Sequence, residues 1–63
     1  YLVSRIVDDL LGGIRSLLSN GRQEFRATLG MVQIHEQDIV YVTNDAATAL
    51  DITIGDWIYV SPI

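Results

Sequence analysis

The sequence predicts a mostly β domain in which an N-terminal α-helix precedes a five-stranded, strongly bent small barrel. Three observations predict this fold class. Apolar residues recur at helical spacing through the first twelve positions. Short segments with alternating apolar and polar residues follow, and turn-forming residues separate them. Two of these segments meet at Asn20-Gly21, the dipeptide that most strongly indicates a β-hairpin.

Length and composition favour one small domain that belongs to an assembly. A chain of 63 residues buries only about 60% of its unfolded surface, so it is marginally stable alone. It contains no cysteine, which excludes disulfides and cysteine-based zinc sites. Hydrophobic residues make up 49% of the chain. Either the core is dense or a partner protein covers apolar surface, and we expect a homo-oligomer or a larger protein assembly.

The charge balance makes nucleic acid an unlikely partner. The net charge is −4, with four arginines and no lysine. An acidic domain repels phosphate backbones and lacks the basic surface of a nucleic-acid-binding protein. No apolar run approaches the roughly 20 residues that a membrane span needs.

The first predicted element is an amphipathic helix over residues 1–12. Its apolar stripe comprises Leu2, Val3, Ile6, Val7, Leu10 and Leu11. Gly12 and Gly13 end it, because glycine readily adopts the left-handed conformation of a helix C-terminus. One helix that continued to Leu18 is the alternative, but two interior glycines would each cost about 1 kcal/mol. We therefore predict a break.

Five strands follow in the prediction. Gly30 bends the long second strand, as a glycine does where a small barrel turns a corner. Residues 43–48 form a loop that could hold one helical turn capped by Thr43 or Asn44, and Pro62 ends the last strand. The strands cover about residues 14–19, 22–34, 39–43, 50–54 and 57–61.

This element order resembles the Sm-like family of small β-barrels (the LSm and Hfq type), which have an SH3-like fold. The hairpin around Asn20-Gly21, the Gly55-Asp56-Trp57-Ile58 turn and the ending in Ser61-Pro62 carry the resemblance. It implies a self-associating barrel, in some members a ring, and similar barrels occur in spore coats. RNA-binding members usually carry Arg or Lys where this chain has Ile54, so the resemblance favours assembly over RNA binding.

A second resemblance is to AbrB-like swapped hairpins and double-psi barrels. The segment from Ala49 to Val60 is similar to their Ala-Leu-Gly-Ile-x-x-Gly-Asp-x-Val pattern, and residues 30–34 are similar to the AbrB Gly-x-Val-x-Ile segment. Here Asp51 replaces the glycine that caps a helix in those families, and residues 39–44 separate the two pieces. This similarity ranks second.

One polar turn and the glycine of the fourth turn form a candidate ligand site: His35, Gln37, Asp38 and Gly55. His35, Glu36 and Asp38 could act on a metal ion or a proton. The chain has no second His and no Cys to complete a zinc set, so a solvated turn is the preferred interpretation. No catalytic residue, metal site or cofactor is predicted.

Other polar and aromatic groups have a plainer structural interpretation. Asp8 and Asp9 point about 100° apart on a helix, which favours a solvated face over a catalytic pair. Three arginines near the hairpin could form a basic patch, but pairing with nearby acids is preferred; they are Arg15, Arg22 and Arg26. Three aromatic residues could stack bases, but core or interface packing is preferred; they are Tyr41, Trp57 and Tyr59.

The resulting functional prediction is a non-enzymatic, self-assembling structural or scaffold protein. A nucleic-acid-binding regulator, either an Sm-like RNA binder or an AbrB-like DNA binder, is the alternative. The expected location is the cytoplasm or a particle or coat. The last two strands would supply the edges that join copies. The predicted oligomer interface comprises Leu50, Ile52, Ile54, Trp57, Ile58, Tyr59 and Val60.

Overall fold

A computed structural model describes all 63 residues and shows a five-stranded mixed sheet with one short helix. The elements are β1 (Leu2–Val7), β2 (Ile14–Ser19), β3 (Ala27–His35), β4 (Ile39–Thr43), α1 (Asn44–Leu50) and β5 (Tyr59–Pro62). The strand order is β1-β4-β3-β2-β5, with β1 parallel to β4 and all other pairs antiparallel. No helix has the length and apolarity that crossing a membrane requires.

The segment before β5 pairs with the start of β1 at the far edge of the sheet. The N–H of Gly55 donates to the carbonyl of Val3 at 2.8 Å, and the N–H of Val3 donates to the carbonyl of Asp56 at 2.9 Å. Tyr1 and Ile58 exchange two further bonds of 2.8 Å each. Residues 55–58 therefore pair with the start of β1, and β5 pairs with β2. The start of β1 is thereby hydrogen-bonded on both sides, to β4 and to residues 55–58.

The core lies between the inner face of the sheet and α1. It comprises Val3, Leu18, Val32, Val40, Val42, Ala46, Ala47, Leu50, Ile52 and Ile58. The neighbouring residues along each strand point outward, which is the period of two that a strand imposes. Each strand thus contributes one face to the core and one face to the surface.

The predicted N-terminal helix is wrong, because residues 2–7 form strand β1. A β-bulge explains the misleading pattern: the register between β1 and β4 shifts between Val3 and Arg5, which leaves Ser4 as an extra residue. The two inward residues, Val3 and Ile6, are therefore three apart instead of two. That spacing is the one that indicates a helix, and it outweighed the β-branched composition of the segment.

The hairpin between β2 and β3 is present, but its connection is seven residues long instead of two. Gly21 has a positive φ of 63°, whereas Asn20 does not have the positive φ that a type I′ turn requires. Asn20 is buried and organises the loop. Its side-chain oxygen accepts bonds from the backbone N–H groups of Arg22 and Arg26, and its amide donates to the carbonyls of Glu24 and Leu50.

The predicted strand over residues 50–54 is also wrong, since this stretch holds the end of α1 and a loop. Thr43 caps the start of α1 by accepting a bond from the N–H of Ala46. Asp51 ends the helix in the left-handed conformation, with φ of 56°. Leu50 and Ile52 alternate into the core on either side of this reversal. Their alternation is what resembled a strand.

The remaining strand positions agree with the sequence to different degrees. The structure has β2 and β4 over the predicted residues 14–19 and 39–43. The predicted long strand 22–34 is a loop as far as Arg26 and then β3. The predicted strand 57–61 contains an isolated bridge from Trp57 to Leu2, followed by β5. The change of partner from β1 to β2 separates these two parts.

Candidate functional site

An open cleft of about 330 Å³ lies beside the N-terminus of α1. Its acidic residues come from the stretch that follows β1 and from the first turn of α1, while β3 forms its floor. The lining residues are Asp8, Asp9, Thr28, Leu29, Gly30, Met31, Thr43, Asp45 and Ala46. It is the one cleft of this size in the chain.

The parallel pairing of β1 and β4 places the acidic residues together. Parallel strands end at the same edge of a sheet, and Val7 pairs with Thr43 at that edge. The chain then continues into Asp8 after β1 and into α1 after β4. Gly30 lets α1 approach the sheet, because a Cβ at this position would lie 3.2 Å from the Cβ of Ala46. The ends of β1 and β4 therefore bring the acidic residues together, and Gly30 allows α1 to lie close to the floor of the cleft.

The cleft carries negative charge that the chain does not neutralise. Asp8 accepts a hydrogen bond from the side-chain amide of Asn44, and Asp9 accepts one of 2.8 Å from the N–H of Leu10. Asp45 lies exposed in the first turn of α1, where the helix dipole favours a carboxylate. No residue that lines the cleft is cationic. The site is therefore electrostatically suited to a cation.

The chemistry of the lining suits an organic cation rather than a metal ion. No three acidic, His or Cys side chains converge as metal ligands would. Carboxylates and the hydroxyls of Thr28 and Thr43 provide hydrogen-bond acceptors, while Ala46 and the backbone of β3 complete the lining. A volume of about 330 Å³ is at the small end for ligand sites, the size of an amino acid or a similar molecule.

The predicted ligand turn lies away from this cleft and stays a prediction. His35 ends β3, and its ring stacks on Tyr41 at 4.0 Å and bonds to the side chain of Gln33. Asp38 and Gly55 each bond through the backbone to the start of β1, Asp38 to Leu2 and Gly55 to Val3. These bonds bring both turns to the same strand.

The predicted interface residues fall into two groups. Leu50, Ile52 and Ile58 are buried in the core of this chain and Val60 is partly buried, so they offer little surface to a partner. Three members of the set are exposed and could meet a partner; they are Ile54, Trp57 and Tyr59. For these three the interface stays a prediction.

Two of the arginines, Arg22 and Arg26, lie in the loop around Asn20, where both backbone N–H groups donate to its side-chain oxygen. Arg22 donates to the carbonyls of Leu50 and Asp51 at the end of α1. Arg15 lies on β2 opposite Met31, and Arg5 lies 5.9 Å from the ring centre of Tyr41.

The three aromatic residues that could have stacked bases differ in exposure. Trp57 and Tyr59 are exposed, whereas Tyr41 is half-buried beside Arg5 and His35.

Sequence reasoning missed the cleft because it placed Asp8 and Asp9 on a helix. A usable signal was present: polar residues follow two β-branched segments, at Asp8-Asp9 and at Thr43-Asn44-Asp45. If both segments had been identified as neighbouring parallel strands, the two acidic ends would have been expected at one edge. The parallel pairing is a tertiary fact that no local pattern contains.

Comparison with known proteins gives one family. Residues 2–62 match the family described as the C-terminal domain of the arginine N-succinyltransferase beta subunit. No curated protein and no solved structure matches the chain at a significant level. The family match covers nearly the whole chain.

This match corrects the sequence-based identification. The Sm-like resemblance and the second resemblance to AbrB-like and double-psi barrels are both wrong as family assignments. The prediction of a non-enzymatic scaffold is wrong as well, since the family is a domain of an enzyme, and so is its nucleic-acid-binding alternative. A subunit is part of an assembly, as the hydrophobic composition led us to expect. The chain belongs to the family of C-terminal domains of the arginine N-succinyltransferase beta subunit.

Proposed function

We propose that this domain serves an enzyme that succinylates arginine, and that the acidic cleft receives the cationic substrate. The observation that carries the proposal is the grouping of Asp8, Asp9 and Asp45 around a cleft with no cationic lining residue. The family's description names arginine as the acceptor of the succinyl group. Arginine carries a guanidinium that stays protonated at every physiological pH.

The cleft matches arginine in shape as well as in charge. A guanidinium presents planar N–H donors that fit carboxylate oxygens in pairs. The three-carbon stem of arginine is apolar, and Ala46 supplies an apolar contact in the cleft. A ligand held by the guanidinium in this way leaves its α-amino end free to face the rest of the enzyme, where the succinyl group would be transferred.

Steady-state kinetics of the intact enzyme with the substitution Asp45→Asn test the proposal. We expect KM for arginine to rise about fivefold with little change in kcat, because one exposed charge-assisted contact contributes about 1 kcal/mol. Citrulline replaces the guanidinium with a neutral ureido group of the same shape. The preference for arginine over citrulline should fall by the same factor.

Asp51→Asn is the matched control. It removes the same charge from the other end of α1, and asparagine tolerates the left-handed φ of 56° at this position. The control should leave KM for arginine unchanged. Equal KM values for Asp45→Asn and the unmodified enzyme would contradict the cleft as the guanidinium site.

We further propose that Ile54 and Trp57 contribute to contacts between the subunits of the enzyme. Both side chains are about three-fifths exposed, and they flank the turn that pairs with β1. Exposed aromatic groups of this kind are enriched at interfaces. Trp57→Glu should shift the sedimentation of the intact enzyme toward smaller species, whereas Leu11→Glu at another exposed position should not. Identical sedimentation of both variants would remove Trp57 from the interface.

A further inference from the structure

The outer face of β2, β3 and β5 is an apolar surface that this chain leaves uncovered. Cross-strand pairing defines it: Leu17 lies between Leu29 and Ser61, and Ser19 lies between Ala27 and Tyr59. Arg15 and Met31 form the next pair along the hairpin. We call this surface the apolar outer face. Its apolar and aromatic members are Leu17, Ala27, Leu29, Met31 and Tyr59, and Arg15, Ser19 and Ser61 lie beside them.

Exposure on this face is large for side chains of this type. Leu17 is 46% exposed, Leu29 is 52% exposed and Tyr59 is 68% exposed. The adjacent inward residue Leu18 is fully buried, so the core is already filled without them. Contiguous apolar groups on three paired strands indicate an interaction surface rather than scattered apolar residues. We infer that the rest of the same polypeptide packs on the apolar outer face.

The area of the apolar outer face favours a covalently connected domain over a second copy of the chain or a separate protein. Three strands about 4.8 Å apart and five residues long, at about 3.3 Å per residue, span roughly 250 Å². A stable complex of separate chains buries about 800 Å² on each partner. The face alone is too small to hold a second copy or a free protein. A covalently connected domain needs less area, because the connection gives an effective concentration in the millimolar range.

The charge of the face specifies the chemistry of what covers it. The chain carries a net charge of −4, yet the face contains no acidic residue and one cation, Arg15. No carboxylate lies opposite Arg15 in the strand register, where its neighbour is Met31. The covering surface should therefore be apolar with a carboxylate near Arg15. The inference depends on the family assignment, which names a C-terminal domain of a longer polypeptide, and not on the arginine cleft.

Thiol labelling of the intact enzyme tests this inference. The domain contains no cysteine, so Leu17→Cys introduces a thiol whose labelling by a maleimide can be located by mass spectrometry after digestion. Leu11→Cys is the control, because Leu11 is 86% exposed and lies outside the face, against 46% for Leu17. Exposure within the domain alone therefore predicts labelling rates that differ by only about twofold. We expect Leu17→Cys to react at least tenfold more slowly than Leu11→Cys.

Two further outcomes are informative. Comparable labelling rates at the two positions would overturn the inference. Protection that is lost when the enzyme is diluted to nanomolar concentration would also overturn it, because a second chain would then be the occupant. Tyr59→Cys repeats the measurement from β5 if Leu17→Cys disturbs assembly. Labelling does not depend on arginine, so this result and the kinetic result for Asp45 can fail separately.

Discussion

The outer side of the sheet has two regions that differ in how their side chains are satisfied. On the β1, β4 and β3 side, Tyr41 lies beneath Arg5 and stacks with His35, which bonds to Gln33 at 3.0 Å. On the β2, β3 and β5 side, Leu17 and Leu29 are about half exposed, and Tyr59 is exposed although its ring lies against Gly21. The side chains of the first face contact one another, whereas the second face leaves apolar side chains exposed. This difference is the basis for the inference that the rest of the polypeptide packs on the second face.

The largest expected effect on stability is the difference between truncating a core leucine and truncating its neighbour on the apolar outer face. Leu18→Ala should lower the free energy of unfolding by about 3 kcal/mol, because it opens a cavity under a fully buried side chain. Leu17→Ala, one residue away and facing outward, should cost less than about 1 kcal/mol in the 63-residue chain. Chemical denaturation measures both values. Similar losses would show that Leu17 belongs to the core and that the face is not open.

A smaller effect is expected on the polar face. A double-mutant cycle with Tyr41→Leu and His35→Ala should give a coupling of about 0.5–1.5 kcal/mol, the usual range for aromatic pairs. The same cycle with Leu17→Ala and Leu29→Ala should give less, since exposed leucines already contact water. Denaturation of the four variants in each cycle measures the two couplings. A larger coupling between the leucines would reverse the comparison.

The errors of the sequence-based prediction have local causes. The bulge at Ser4 gave β1 the spacing of a helix, and the reversal at Asp51 gave the end of α1 the alternation of a strand. Asn20 looked like a turn residue, but its four side-chain hydrogen bonds make it the centre of a seven-residue loop. At Ser4 and Asp51 a single residue changed the spacing of inward-facing side chains, and at Asn20 a single residue set the length of a loop. In each case only the contacts of that residue show its role.

The sequence by itself determined the mostly β class, the residues of β2 and β4, and the positive φ at Gly21. Alternation and turn chemistry act over a few residues, so a local pattern suffices for these features. Tertiary structure alone decided the parallel pairing of β1 with β4 and the pairing of residues 55–58 with the start of β1. The acidic cleft follows from the parallel pairing, and the apolar outer face follows from the pairing of β2 with β3 and β5. Contacts between residues far apart in the chain depend on the register of whole strands, which no single segment encodes.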